Sequence, residues 1–194
     1  MKFISILFLA TASICNFCHA QVGWDVAVGG QQYFAPIKNA SVGHWQPQVM
    51  GGVNRFINAG NTMSVTLRMM YNRNKHQGDA LSWQTLLQYT PVVANHLELG
   101  IGMGVGYQMA FYPSKSQKWD GNNWTEGKAT KGVWQVPVQF SIGYRGLEAT
   151  RGTFTPYIAY NTNFLFRYSP DLTPLPSAAF MMGVKFNPSL TIKN

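Results

Sequence analysis

The chain of 194 residues has few charged side chains and only two cysteines. Charged residues make up 11% of it, less than half of the roughly 25% that soluble domains carry. A disordered chain would be rich in charge and poor in aromatic residues, whereas this chain is 14% aromatic. Glycine is abundant but does not recur at every third position, and no apolar heptad is present, which excludes collagen and coiled coil. The length fits a single domain.

Both cysteines, Cys15 and Cys18, lie in an N-terminal segment with the layout of a secretory signal. A basic start at Lys2 precedes an apolar run, and the segment ends on the small residue Ala20. The apolar run is too short to cross a bilayer as a helix. We therefore predict a cleaved signal peptide over residues 1–20, and a mature chain without thiol or disulfide chemistry.

The rest of the chain alternates apolar and polar residues with a period of two. Successive side chains of a strand point to opposite faces, so this pattern predicts strands and excludes helices. In one segment glycines fill every second position; they lie within a strand rather than before a helix, which excludes a nucleotide-binding loop and predicts a tightly curved sheet. The eight predicted strands are Val22–Gly30, His44–Phe56, Met63–Asn72, Leu81–Tyr89, His96–Tyr112, Trp134–Arg145, Phe154–Tyr168 and Ala178–Asn187.

The connections alternate between long polar loops and generally shorter turns. Outer-membrane barrels have short periplasmic turns and longer external loops, which is the same order. We therefore predict an all-β fold, an eight-stranded antiparallel up-and-down transmembrane β-barrel over residues 21–188, with both termini in the periplasm and a tail over residues 189–194. Three prolines within the predicted strands, Pro91, Pro137 and Pro156, fit poorly because each removes a hydrogen-bond donor.

A soluble, lipocalin-like barrel is the competing all-β interpretation, since periodicity alone does not show which face points outward. Three features favour the membrane. The polar faces are rich in Gly, Ser, Thr, Asn and Gln, which suits a crowded lumen. The apolar faces are long enough to cross roughly 25 Å of hydrocarbon. Tyrosine and tryptophan recur near strand ends, as in aromatic girdles: Trp24, Trp45, Tyr71, Tyr89, Tyr112, Trp134, Tyr144 and Tyr168.

A resemblance to a known group of proteins rests on three features. They are the junction Ala20-Gln21, the eight alternating strands and the closing Phe180–Phe186 segment. The chain resembles the small outer-membrane β-barrel proteins of Gram-negative bacteria, and the Ala-Gln junction resembles those of Bacteroidota. The resemblance covers Gln21 to Pro188 and lies in pattern, not in a diagnostic motif. Many such barrels end on an aromatic residue that the assembly machinery reads, whereas here a tail follows Phe186.

Charged residues in the predicted lumen require partners, because an eight-stranded barrel has an interior that side chains fill. Asp25 on the first strand and Lys185 on the last are expected to be neighbours, since these strands must meet to close the barrel. Glu98 and Arg145 are expected to lie near one another. Arg68 points inward in mid-strand, with Gln84 or Gln88 as its candidate neighbour. The simplest role of these charges is to close and rigidify the lumen; the alternative is a proton or solute path.

The third long loop concentrates positive charge and tryptophan. We expect it to contact lipopolysaccharide phosphates, a lipid surface or a partner protein, while secretion argues against nucleic acid. A floppy surface loop is the alternative. The contact residues predicted there are Lys115, Lys118, Trp119, Trp124, Lys128 and Lys131.

No catalytic or metal-binding set is recognisable. The mature chain has three histidines, His44, His76 and His96, and none has the spacing of a metal site or a serine two residues on, as in lipid A deacylase barrels. We therefore predict no catalytic residue, no metal and no cofactor.

The predicted role is non-enzymatic: a structural or interaction protein of the outer membrane, acting as an accessory subunit of a larger envelope complex. The first alternative is a narrow conduit or binding pocket for small hydrophobic molecules, which an apolar lumen near the outer end would favour. Met70 and Leu86 are the only inward apolar candidates there. The second alternative is a lipid-modifying outer-membrane enzyme.

Overall fold

The computed structural model of the protein describes residues 22–33, 45–74, 78–94, 96–115, 117–119, 121–149, 151–167 and 173–188. Eight long strands make up most of these residues. In chain order they are β1 (Val22–Tyr33), β2 (Gln46–Phe56), β3 (Met63–Asn72), β4 (Asp79–Tyr89), β5 (Leu97–Phe111), β6 (Thr130–Tyr144), β7 (Gly152–Phe166) and β8 (Leu175–Pro188). The predicted signal peptide and the tail over 189–194 lie outside the described residues.

The eight strands close into a ring. Each pairs antiparallel with the next strand in the chain, and β8 pairs antiparallel with β1. Three short connections lie at one end of the ring, which we call the turn end. Four connections lie at the other, the loop end, and all of them except the β3–β4 connection are longer than those of the turn end. The predicted eight-stranded up-and-down barrel is confirmed.

The register fixes how far the strands are staggered. A path that starts at Lys185 on β8 and follows Cα partners through β1 to β7 returns to β8 at Leu175, ten residues away. Strands in such a barrel tilt by about 35–45° from the axis, and eight of them enclose an interior that side chains fill. The barrel is therefore a packed body and not an open tube.

Side chains alternate between the lumen and the outer surface, with the polar face inward. On β3, Thr66, Arg68 and Asn72 are buried, while Leu67 and Met69 between them are exposed. A lipocalin-like barrel would show the reverse, so the burial favours the membrane interpretation. Most of the predicted girdle residues lie exposed near strand ends: Trp24, Trp45, Tyr71, Tyr89, Trp134 and Tyr144.

β5 contributes almost no side chains to the middle of the lumen, because its inward positions there are glycines. A Cβ atom added at Gly104 would lie 1.9 Å from the carbonyl oxygen of Thr85 on β4, and one at Gly106 would lie 2.9 Å from Cγ of Gln84. The glycines therefore let β4 approach closely and make room for its glutamine side chains. This geometry agrees with their interpretation as spacers in a curved sheet.

The prolines that fitted poorly coincide with gaps or ends of the pairing. The β5–β6 ladder is interrupted opposite Pro137, and the β6–β7 ladder begins only at Tyr157, after Pro156. Pro91, predicted within a strand, instead follows the end of β4. Each proline therefore lies where its missing N–H group leaves no ladder bond unmade.

Several strands extend beyond their predicted ends: β1 continues to Tyr33, and β6 and β8 begin at Thr130 and Leu175. The predicted third loop also contains two short antiparallel strands, Gln117–Trp119 and Trp124–Glu126, which form a hairpin. Near the membrane surface both faces of a strand can be polar, so the alternation that predicts strands fades there although the backbone pairing continues. Two further short strands, Val92–Val93 and Leu147–Ala149, lie at the turn end.

Charge on the outer surface should destabilise the barrel according to depth. Val105 lies midway along β5 and is 62% exposed, whereas Val22, 46% exposed, opens β1 at the turn end. We expect Val105→Arg to lower the free energy of unfolding in lipid vesicles by about 2–4 kcal/mol and Val22→Arg by about 0–1 kcal/mol. Urea titration of the refolded variants measures both. Equal, small effects would contradict a lipid-facing surface.

Candidate functional site

A three-membered ion cluster closes the lumen at the turn end. Glu98 on β5 accepts from Lys185 Nζ on β8 through Oε1 at 2.9 Å. Its Oε2 accepts from Arg145, just past the end of β6, with Arg145 Nε at 2.8 Å and Nη2 also donating. Glu98 and Lys185 are almost fully buried and Arg145 is only partly exposed. One carboxylate thus joins two cations from different strands.

Arg145 also spans the mouth of the barrel. Its Nη1 donates to the backbone oxygen of Asn61 in the β2–β3 turn at 3.2 Å. Its guanidinium lies 5.6 Å from the centre of the Phe56 ring, within the range of a cation–π contact. The β6–β7 connection is therefore attached to the β2–β3 turn across the turn end.

Asp25 lies beside this cluster but has a different hydrogen-bond partner. Asp25 and Lys185 are Cα partners across the β1–β8 seam, as the closure argument expects. The Lys185 amine donates to Glu98, however, while Asp25 accepts from the Tyr157 hydroxyl at 2.6 Å. Lys185 Nζ also lies 5.2 Å from the centre of the Tyr157 ring. The four groups form one buried, mixed-charge layer.

Arg68 lies above this layer and is held by neutral groups. Its Nε donates to Gln84 Oε1 at 2.7 Å, its Nη1 to Gln139 Oε1, and its Nη2 to Asn161 Oδ1 at 3.3 Å. Gln84 is one of the two neighbours considered from the sequence. Because these acceptors lie on β4, β6 and β7, the Arg68 side chain crosses the lumen from β3 to the opposite wall.

Further side-chain amides extend this network along the lumen. Gln84 Nε2 donates to Asn163 at 2.9 Å, and Gln88 Nε2 donates to Gln139 at 3.3 Å while its Oε1 accepts from Thr66. Buried amides satisfy one another in this way without introducing further charge. Together with Arg68 they form a transverse polar layer, which we call the amide layer.

Apolar side chains occupy much of the remaining interior. One cluster, on β1, β2, β3, β7 and β8, includes Met50, Met70 and Met181. A second cluster packs Val133, Leu165 and Leu175 against Tyr33. The second cluster lies towards the loop end, so the expectation that Met70 and Leu86 are the only inward apolar candidates near the outer end is wrong. Val133 and Leu175 were missed because they precede the predicted starts of their strands.

The third long connection places its predicted contact residues at the loop end. Lys115 pairs with Glu126 at 2.5 Å, and both side chains are well exposed. Trp124 is also exposed, on the second strand of the hairpin. Lys128 precedes β6 and Lys131 is its second residue, and the backbones of Lys118 and Trp119 belong to the first hairpin strand. The lysines and tryptophans are thus gathered in one projecting segment.

The described residues contain no group of three His, Cys, Asp or Glu side chains that could hold a metal ion. His96 packs its ring against Tyr144, with centroids 5.5 Å apart, and His44 and His76 lie outside the described residues. Within the same residues no helix is long and apolar enough to cross a bilayer.

The closed ring, the apolar outer surface and the polar lumen define a transmembrane β-barrel of the small outer-membrane type. No family model matches the sequence, and no curated protein matches it. Solved structures do match, at identities that show the fold alone.

Three of these structures illustrate the likeness. Neisserial surface protein A aligns with a TM-score of 0.58 and 9% identity, over 85% of this chain and 96% of that one. Ail of Yersinia pestis, solved with the heparin analogue sucrose octasulfate, aligns at 0.53 and 8%, over 87% and 98%. The N-terminal barrel of Pseudomonas aeruginosa OprF aligns at 0.50 and 12%, over 87% and 99%.

These proteins are small eight-stranded outer-membrane barrels of Gram-negative bacteria, as the sequence resemblance implied. They lend no support to the Bacteroidota lineage, which stays a prediction.

Removing the shared carboxylate should destabilise the barrel strongly. Glu98→Gln removes the carboxylate that Lys185 and Arg145 share and leaves Asp25 as the remaining carboxylate of this buried layer. We expect a loss of about 3–5 kcal/mol in the free energy of unfolding. Glu126→Gln is the matched control, since it breaks an exposed pair worth about 0.2–1 kcal/mol. Urea unfolding in vesicles compares the two. Equal losses would show that the cluster contributes nothing beyond surface electrostatics.

Two glutamines on β6 offer a matched test of the amide layer. Gln139 accepts from Arg68 and from Gln88, whereas Gln135, equally buried, has no hydrogen-bond partner for either amide atom among the described residues. We expect Gln139→Met to cost about 1.5–3 kcal/mol, because a charged donor loses its acceptor. Gln135→Met should be neutral or stabilising, since it removes two unsatisfied polar atoms. The reverse ranking in urea titrations would contradict the network.

Proposed function

We propose that the protein is an integral outer-membrane barrel with a structural and interaction role, acting as an accessory subunit of a larger envelope complex. The observation that supports this most directly is the filled lumen. The mixed-charge layer, the amide layer and the apolar clusters together occupy the interior. A barrel filled in this way offers its surfaces and its projecting loops for function, not a path through the middle.

The loop end supplies a surface suited to an anionic partner. Among the described residues of this end, exposed or partly exposed cations outnumber the carboxylates: Arg73, Lys115, Lys128, Lys131 and Arg167 against Asp79 and Glu126. Lipopolysaccharide phosphates and anionic proteins both match this charge. The Ail structure contains a sulfated ligand, which supports the idea that a barrel of this fold can present an anion-binding surface.

The orientation follows from the connections. Barrels of this class have short turns in the periplasm and long loops outside. We place the turn end and both termini in the periplasm, and the Lys115–Lys131 segment outside the cell.

A pocket for small hydrophobic molecules is the second candidate. The cluster of Val133, Leu165 and Leu175 with Tyr33 favours it, because an apolar layer lies towards the loop end of the lumen. These side chains are buried against one another, so a ligand would have to separate them.

Purification of the tagged protein from detergent-solubilised outer membranes tests the proposal. We expect one larger envelope protein to co-purify in stoichiometric amount, because a filled barrel functions through its surfaces. Deletion of residues 117–126 should remove that protein, while Lys115→Gln, which breaks only the exposed Lys115–Glu126 pair, should retain it.

Quantitative mass spectrometry measures the ratio, and heat-dependent gel mobility shows that each variant is folded. A lone monomer in every preparation would overturn the accessory-subunit role and favour the hydrophobic-ligand candidate.

A further inference from the structure

The three short connections at the turn end are bonded to one another. Thr90, after β4, donates its N–H to Thr62 O in the β2–β3 turn at 2.6 Å. The backbone N–H of Arg145 donates to His96 O at 2.7 Å, and its side chain donates to Asn61 O. The β2–β3, β4–β5 and β6–β7 connections therefore form one continuous, hydrogen-bonded surface.

The β2–β3 turn is also fixed internally. Asn58 Oδ1 accepts from the backbone N–H groups of Thr62 and Met63, at 3.0 and 2.9 Å. The Ile57 N–H donates to Met63 O at 2.9 Å. The backbone that carries Ile57 is thus held in place before any partner binds, which lowers the entropy cost of association.

This surface exposes apolar side chains beyond the aromatic girdle. Ile57, Val92, Val93 and Leu147 are 54%, 38%, 39% and 50% exposed, and we call these four residues the turn-end face. Val92 lies three residues past the girdle residue Tyr89, and Leu147 three past Tyr144. At a strand rise of about 3.3 Å, reduced by the barrel tilt, that distance is about 7 Å beyond the girdle. Hydrocarbon no longer covers side chains at that level.

Arginines outnumber carboxylates among the exposed and partly exposed side chains described at the turn end, although Arg145 is paired with Glu98. Arg151 is exposed and Arg55 and Arg145 are partly exposed, whereas Glu148 is the one exposed carboxylate among the described residues of this end. A rigid apolar surface bordered by arginines is complementary to an apolar surface bordered by carboxylates.

We propose that the turn-end face binds the acidic, apolar surface of a soluble protein on the periplasmic side. The inference rests on the interaction role proposed above, and it assigns a second contact surface, on the opposite side of the membrane from the hairpin. An anionic lipid headgroup layer is the competing occupant, and the experiment separates the two.

Photo-crosslinking in intact cells tests the proposal. We replace Leu147, Val92 or Val105 singly with p-benzoylphenylalanine, Val105 being the lipid-facing control. We expect positions 147 and 92 to give the same discrete protein adduct, and position 105 to give none. Mass spectrometry of the adduct from position 147 should locate the bond beside acidic residues.

Second-site variants show whether the adduct depends on the face. Ile57→Ser should lower the yield from position 147 about tenfold, because one buried aliphatic contact is worth roughly that factor in affinity. Ala59→Ser, exposed in the same turn, should leave the yield unchanged. Arg151→Glu should lower the yield, since it reverses the charge that faces the partner. Heat-dependent gel mobility confirms that each variant is folded.

Lipid adducts alone at positions 147 and 92 would overturn the proposal, and so would a protein adduct that Ile57→Ser leaves unchanged. The outcome is separable from that of the accessory-subunit role. If a co-purifying protein depends on residues 117–126 and never crosslinks from position 147, the proposed function stands and the turn-end assignment fails. If no protein co-purifies and none crosslinks, both fail.

Discussion

The buried guanidinium of Arg68 is the constraint on which the interior of this barrel depends. A charge in a lumen without bulk water must be solvated by protein groups, and here amide oxygens from three strands do so. Those amides need further partners, which recruits Gln88, Asn163 and Thr66. Five donors in a fixed planar fork specify the positions of the acceptors more narrowly than apolar packing would. The amide layer therefore fixes how β3 stands relative to β4, β6 and β7.

Space for the amide layer comes from the glycines of β5. A side chain at Gly102 or Gly106 would meet the Cγ atoms of Gln88 or Gln84 at 3.0 or 2.9 Å. The glycines of β5 and the long side chains of β3 and β4 therefore depend on each other, because the first leave the space that the second fill. The ten-residue stagger determines the size of the interior, and the distribution of small and long side chains determines how it is filled.

The fold was predictable from the sequence because a membrane barrel requires alternation on long strands. β5 shows it without interruption, and β3 and β4 depart from it only around Met70 and at Thr85-Leu86. The pairing of β1 with β8 could be predicted because a closed barrel requires its first and last strands to meet. For that reason Asp25 and Lys185 could be placed side by side. The actual partner of Lys185 could not be predicted. Glu98 lies on β5, and contact across a lumen depends on stagger and side-chain reach, which periodicity does not report. The turn-end face could not be predicted for a related reason. An isolated leucine or valine in a turn belongs to no periodic pattern from which its exposure could be inferred.

The pairing of β1 with β8 has a consequence for how the chain folds. Until residues 175–188 arrive, the sheet has two open edges, and its interior holds Glu98 with Arg145 but without Lys185. Docking of the final strand therefore completes the backbone pairing and supplies the missing lysine in one event. Contacts between the first and last strands join the residues that are farthest apart in sequence. Their loop-closure entropy is therefore the largest, and we expect them to form late in folding. A chain that lacks residues 175–188 would keep two open sheet edges and would leave Glu98 without Lys185.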